Sequence, residues 1–282
     1  MWIYFYSSWV ETKLQNAYIE EYHPPKEFNG DLSLATQQNR TSFTPSYSGA
    51  IYEVILDDTG TKMFIGNATW GWHGGGILQY TLPTAWDITS INTSGTVYWV
   101  GTWSRDYPDP CFCDDGNKLF NWYSSSGTYA RYDLSTAYDL TTVDWDNPDY
   151  TIYITDQYWA WIQSVSADGK TYLIRPWSAR SLTYSVSTTA WQPVNSQTAL
   201  LSSSNIMTGT FCNEWKMLMV MDGTTIKKYE LSTPYDVTTL NTTPIQTQAT
   251  GLSWNPRWIH VDRYGDNIYI NVNSVIYRYN LV

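Results

Sequence analysis

The chain has 282 residues and a formal net charge of −10, room for one large domain or two small ones. That acidity argues against a nucleic-acid partner, which is normally held by a basic stripe. Apolar runs stop at about eight residues, too short for a bilayer-crossing helix, so no membrane insertion is expected. The composition (24 Tyr, 16 Trp, 7 Phe and abundant Ser and Thr) favours pleated strands, and no stretch of 12 residues keeps a helical period. The fold class read from this is all-β. The start, "MWIYFYSSWVETK", lacks the basic region, long apolar core and cleavage site of a secretory signal, so synthesis and folding in a cytoplasm are expected.

Residues 1–47 hold two or three strands and a weak tyrosine-centred segment, "EEYHPPKEF", at Tyr22. The first full unit, 48–98, runs through "LDDTGTKMFI" (Gly60), the loop "NATWGWHGGG" and "LQYTLPTAWDIT" (Tyr80). The second, 99–153, has "CDDGNKLFNW" (Gly116) and "ARYDLSTAYDLTT" (Tyr132). The third, 154–200, has "SADGKTYLI" (Gly169) and "LTYSVSTTAW", anchored on Tyr184. The fourth, 201–250, carries "CNEWKMLMV" where the others have Asp-Gly, then "KKYELSTPYDVTT" (Tyr229). The last, 251–282, contains "DRYGDNIYI" (Gly265) and stops after "YRYNLV" (Tyr279).

The anchors recur every 45–58 residues, a repeat with variable loops. Asp-Gly between two apolar runs signals a hairpin, because both residues tolerate positive φ. Each unit reads as strands A to D; in the second they are "PCFC", "KLFNWY", "TYARYDL" and "DYTIYIT". Four antiparallel strands at this period, with no helix between, predict one β-propeller domain over 1–282. Six blades is the first choice, with both incomplete terminal units contributing; five blades plus an N-terminal extension is the alternative. Unfinished terminal units would also leave a sheet edge for a neighbouring chain to complete.

The segments "DDTGTKMFI…ILQYTLPTAWDITS", "DDGNKLF…ARYDLSTAYDLTT" and "IKKYELSTPYDVTT" resemble a repeat of propeller proteins from tailed bacteriophages and marine viral sequence. In that family Asp-Gly-Thr-Lys-Met-Tyr-Val precedes Tyr-Gln-Tyr-Thr-Leu-Ser-Thr-Pro-Trp-Asp. The resemblance covers about 48–282, with departures at "CNEWK" and at Gln192-Pro193, where the family shows Asp. It implies a virion component, whether tail fibre, tail accessory or head-decoration protein, assembled in the host cytoplasm beside other virion proteins.

Up-and-down connectivity puts the A–B and C–D turns at one rim and the B–C and D–A loops at the other. The turn rim holds economical turn chemistry, and Trp86, Tyr138, Trp191 and Tyr235 recur there at one motif position, which marks them as packing residues. Trp161 and Trp258 open A strands and are read as packing between blades. The loop rim collects Trp70, Trp72, His73, Trp103, Arg105, Tyr107, Tyr158, Trp159, Trp177 and Trp254, the candidate binding residues. Trp, Tyr and Arg anchor protein interfaces, and aromatic rings also stack on sugars, so a virion protein or a host glycan is the expected partner.

No catalytic residue, cofactor or metal is assigned. "WGWHGGG" lacks the lysine and helix of a phosphate loop, and its glycines serve to turn the chain back into "ILQY". Cys111, Cys113 and Cys212 are too few for a disulfide framework and far in sequence from His23, His73 and His260, so they read as small buried strand residues. The expected role is non-enzymatic. One alternative is a glycan-degrading enzyme, with Asp106, Asp109 and Glu214 the first carboxylates to test. The other is a host lectin-like or scaffold propeller.

Overall fold

A computed structural model of the chain describes residues 30–45, 50–68, 75–91, 95–99, 110–113, 115–124, 128–153, 160–166, 168–176, 181–193, 198–203, 205–212, 216–253, 256–262 and 264–282. They form five four-stranded antiparallel sheets. Blade I contains β2 (Ala50–Leu56), β3 (Lys62–Ala68), β4 (Gly75–Thr81) and β5 (Thr96–Trp99). Blade II contains β6 (Cys111–Cys113), β7 (Lys118–Ser124), β8 (Thr128–Asp133) and β9 (Tyr150–Tyr153). Blade III contains β10 (Ala160–Val165), β11 (Thr171–Pro176), β12 (Ser181–Val186) and β13 (Thr198–Ser202). Blade IV contains β14 (Ile206–Cys212), β15 (Met217–Asp222), β16 (Thr225–Glu230) and β17 (Gln246–Ala249). Blade V takes β18 (Trp258–Val261), β19 (Asn267–Val272) and β20 (Val275–Asn280) from one end of the chain and β1 (Arg40–Phe43) from the other.

The ring therefore has five blades, and the six-blade expectation is corrected to its five-blade alternative. The reason is the register of β1. Arg40, Thr41, Ser42 and Phe43 pair with Tyr279, Arg278, Tyr277 and Ile276, so the N-terminal strand is strand D of the C-terminal unit and not part of a blade of its own. The edge of β20 is thereby filled by the same chain, and no neighbouring molecule is needed to complete it. The segment around Tyr22 lies outside the described residues.

Among the described residues the core is split into five apolar clusters, one in each seam between adjacent blades. Phe64 and Ile77 meet Leu119, Ala130 and Tyr132 between I and II; Tyr129 meets Trp161 and Ile162 between II and III. Leu173 and Leu182 meet Leu218 and Val220 between III and IV; Met219 and Ile226 meet Ile259 and Ile270 between IV and V; Trp258 and Tyr269 meet Ile51 and Met63 between V and I. A lone four-stranded blade leaves both faces in water, so each blade is stable only between two others.

Anchor tyrosines set the registers. Tyr80, Tyr132, Tyr229 and Tyr279 lie opposite Met63, Leu119, Leu218 and Ile268, and all four are buried. Blade III breaks the pattern and corrects the sequence alignment, because Ser185 and not Tyr184 holds the anchor register. Its cross-strand partner is Tyr172, fully buried, whose hydroxyl donates to the Gly169 carbonyl at 2.6 Å. The aromatic has moved across the strand pair, and a small residue faces it. Tyr184 consequently stands where the other blades have Gln79, Arg131, Lys228 and Arg278.

Candidate functional site

The side chains of the turn rim are consumed by the fold. At the A–B turns of blades I, II, III and V the residue at or just after the end of strand A (Asp57, Cys113, Ser166 or Asp262) accepts at its carbonyl the N–H of the glycine three positions on, at 2.8–3.1 Å. Gly60, Gly116 and Gly169 have φ of +68°, +83° and +69°, and a Cβ on any of them would overlap the ring of Trp86, Tyr138 or Trp191. Those aromatic residues are themselves left-handed, at φ 65°, 54° and 60°, and their N–H groups donate to the carbonyls of the same glycines at 2.7–3.0 Å. The C–D turn is thus locked face-on to the A–B turn of its own blade.

The recurrent Asp-x-Thr-Thr ending has an equally local purpose. Oδ1 of Asp87, Asp139 and Asp236 accepts the N–H of Thr89, Thr141 and Thr238 at 3.0–3.1 Å, and also their hydroxyls at 2.6–2.7 Å. Each carboxylate thereby caps the short helical turn that follows it, satisfying an N–H that has no partner within the turn. Hydrogen bonds from the Thr141 side chain and backbone hold the Asp139 carboxyl below its ordinary range. At Asp87 burial pushes the other way, and the bonds from Thr89 with the charge of Arg278 outweigh it.

Cations on this rim are turned inward to stitch seams. Lys62 Nζ donates to the Tyr138 carbonyl at 3.0 Å, Arg131 to that of Trp191 at 3.1 Å, and Arg278 to that of Trp86 at 2.9 Å. The acceptor in each case is the left-handed residue of the next blade. Lys118 Nζ also lies 5.5 Å from the centre of the Trp191 ring. The recurrence of Trp86, Tyr138 and Trp191 is therefore explained by packing.

The loop rim is different. Trp70, Trp72, His73, Trp103, Arg105, Tyr107, Tyr158, Trp159, Trp177 and Trp254 all lie outside the described residues, as do Asp106, Asp109 and Glu214. What the described strands establish is where their connections start. Trp70, Trp72 and His73 fall in the chain between β3 and β4; Trp103, Arg105 and Tyr107 between β5 and β6; Tyr158 and Trp159 between β9 and β10; and Trp177 between β11 and β12. Nine candidates spread over more than a hundred positions thus belong to connections at one rim of three consecutive blades. Trp254 falls between β17 and β18.

Blades IV and V contrast with this sector. Asp222 pairs with Thr225 and Val272 with Val275, so both B–C connections are two-residue hairpins. Gly223 has φ +62° at the first central position of its turn, where a type II′ turn needs glycine, and Asn273 and Ser274 have φ of 49° and 66°, the type I′ geometry that matches strand twist. Neither hairpin is among the turns predicted from the sequence, although Asp222-Gly223 carries the same Asp-Gly signal as the turns of the opposite rim.

The remaining predicted packing residues are placed. Trp161 and Trp258 are buried at the starts of β10 and β18, and the Arg175 guanidinium sits 4.9 Å from the centre of the Trp161 ring. Cys111, Cys113 and Cys212 are buried and none forms a disulfide; Cys113 and Cys212 occupy equivalent strand ends, each Sγ directed at a β-strand carbonyl. Burial raises the Cys212 thiol far above its ordinary value. Among the described residues no group of His, Cys, Asp and Glu is arranged to hold a metal ion, and no helix is long and apolar enough to cross a membrane.

The class these features define is a five-bladed β-propeller. No family model and no curated protein matches the chain. Among solved structures it is similar to the β-propeller domain of Cps50 (Swd1) from Myceliophteria thermophila, at 11% identity and a TM-score of 0.46, over 83% of this chain and 65% of that one. The chain therefore spans just under two thirds of that structure. It is also similar to a chain of a nidogen/laminin complex (11% identity, TM-score 0.48, 79% and 72% covered). A third is a protein of unknown function from Desulfotomaculum acetoxidans (13% identity, TM-score 0.45, 83% and 69% covered).

Proposed function

We propose that this propeller is a non-enzymatic structural and adhesion protein of a tailed-phage particle, binding a protein or host glycan through its loop rim. The observation that carries the reading is the division of labour between the rims. Turn-rim aromatics, aspartates and cations are spent on intra-blade locks and seams, whereas the B–C connections opposite vary from two residues in blades IV and V to six between Ala68 and Gly75. Variable connections on a rigid ring are where binding surfaces are usually built. The aromatic and arginine content of the connections in blades I to III supports an adhesive surface there, and the repeat resemblance supports a virion as its setting.

Mass spectrometry and cryo-electron microscopy of purified particles test the setting; the chain is expected as a particle component, and its absence would favour the host-protein alternative. For the surface, the isolated protein is applied to an array of bacterial envelope glycans, beside Trp70→Ala/Trp72→Ala and Trp103→Ala/Tyr107→Ala variants. Retention lost in the variants with an unchanged melting temperature is the expected result. Release of reducing sugar that disappears in Asp106→Asn, Asp109→Asn or Glu214→Gln would replace the non-enzymatic reading with a depolymerase.

A further inference from the structure

The strand that closes the ring is held from a distance. Residues 30–43 form a clasp whose partners in blades IV and V lie 198 to 239 residues further along the chain. Gly30 donates its N–H to the Gly265 carbonyl at 2.8 Å, and its own carbonyl accepts from the buried Lys228 Nζ at 2.8 Å. The Gln246 side chain accepts the Leu32 N–H at 3.3 Å and donates to Asp31 Oδ1 at 3.1 Å. Leu32 and Ala35 enter the apolar cluster between blades IV and V. β1 then pairs with β20, and the Arg40 guanidinium lies 4.9 Å from the centre of the Tyr277 ring. Phe43 also meets the Tyr80 ring of blade I, 5.7 Å between centres. The clasp contains no cysteine, so no disulfide fastens it.

The groove that takes the clasp belongs to the folded ring, whereas the clasp is tied to it through the six residues between Phe43 and Ala50. A second copy carries the same clasp, and the groove accepts it with the same bonds. Exchange of an identical element in this way closes a pair of chains without requiring a new binding surface. Order of synthesis favours the encounter. At about 5–20 residues per second the clasp waits roughly 10–50 s before its groove is complete, and neighbouring nascent chains present both parts meanwhile. Six residues of chain reach at most about 20 Å, so the two rings of such a pair meet at their V–I seams. The tether sets the balance: a short link holds its own clasp at an effective concentration of about 1 mM, so exchange gains weight where copies are crowded to that level.

We propose that residues 30–43 are exchanged between two crowded copies of this chain, the blade V of each ring being completed by the strand Arg40–Phe43 of the other. The partner is a second copy, recognised through the edge of β20 together with Gly265, Lys228 and Gln246.

A cysteine trap in the full chain tests this. Ser42 and Tyr277 stand opposite one another in the register, so Ser42→Cys/Tyr277→Cys in one chain is expected to close an intrachain disulfide. Ser42→Cys and Tyr277→Cys in separate chains, refolded together at about 1 mM in a glutathione buffer, are expected to give a disulfide-linked heterodimer in about a tenth or more of the protein. Refolding at about 1 μM should lower that yield at least about tenfold. Closure of the double variant without any heterodimer at the higher concentration would overturn the proposal. The unaltered protein supplies an independent measurement. Refolded at about 1 mM and then diluted, it should show in the analytical ultracentrifuge a dimer that outlasts the dilution; monomer alone would also overturn the proposal, whatever the trap shows.

Discussion

At the scale of single residues, the glycines of the A–B turns are the least replaceable positions on the turn rim. Gly116 combines a φ of +83° with a Tyr138 ring packed where a side chain would start. Gly116→Ala is expected to cost about 2–4 kcal/mol, more than left-handed strain alone, because the ring must also move; urea unfolding with an unchanged m-value would show it. His260 contributes one part of the acid sensitivity. It lies on β18 with its ring 6.1 Å from that of Tyr269, and burial lowers its pKa from 6.5 to about 4. The folded state keeps it neutral while the unfolded chain takes up a proton, so stability falls as pH drops from 6.5 towards 4 and levels off below. The ceiling is about 3 kcal/mol, reduced by whatever solvent reaches the ring. Subtracting the stability–pH curve of His260→Phe from that of the parent should isolate this slope; parallel curves would refute it.

Among elements, the third blade is the most instructive. Its sequence offers Tyr184 as the anchor tyrosine, yet the register gives that place to Ser185 and transfers the aromatic to Tyr172. Spacing alone did not reveal the shift, because Tyr184 is one residue from the expected position and a one-residue change reverses the face of a strand. The volume opposite Tyr172 ties the two choices together. Tyr172→Leu should leave a cavity and Ser185→Tyr should overpack the same space, each costing about 2–4 kcal/mol. The double variant recreates the arrangement of Leu119 with Tyr132 and is expected to recover at least about 2 kcal/mol. Denaturant titration of all four proteins measures the coupling.

For the whole molecule, stability depends on closing the ring through blade V. Leu32 and Ala35 enter the cluster between blades IV and V, Lys228 bridges to Gly30, and β1 covers the edge of β20. A chain lacking residues 1–43 is expected to lose about 4–6 kcal/mol, from two buried apolar groups, a stranded lysine and an open strand edge. It should melt earlier and self-associate on size-exclusion chromatography; a monomer with parental melting temperature would contradict the clasp. Lys228→Met keeps the stem and removes the ammonium, and it separates the contribution of the bridge from that of the strand.

Much of this architecture is written locally. The repeated Asp-Gly turns, the Leu-Ser-Thr-x-Tyr-Asp motifs and the strand limits in the second unit follow from backbone preferences, hydrogen bonding within a turn and alternation of apolar residues. Those forces act over fewer than ten positions, so a single chain displays them. Blade number was not of that kind. It depended on whether Arg40–Phe43 would pair 233–239 residues away with Ile276–Tyr279, an interaction with no local signature. The bond from Lys228 to the Gly30 carbonyl shares that cause, since its partners are 198 residues apart; the swapped tyrosine does not, because Tyr172 and Ser185 face each other within one strand pair and only the register decides which residue fills the place. Sequence by itself determined the blade and marked which rim is ordinary; the tertiary structure decided how many blades there are, where the seam lies, and that nine loop-rim candidates belong to one sector of the ring.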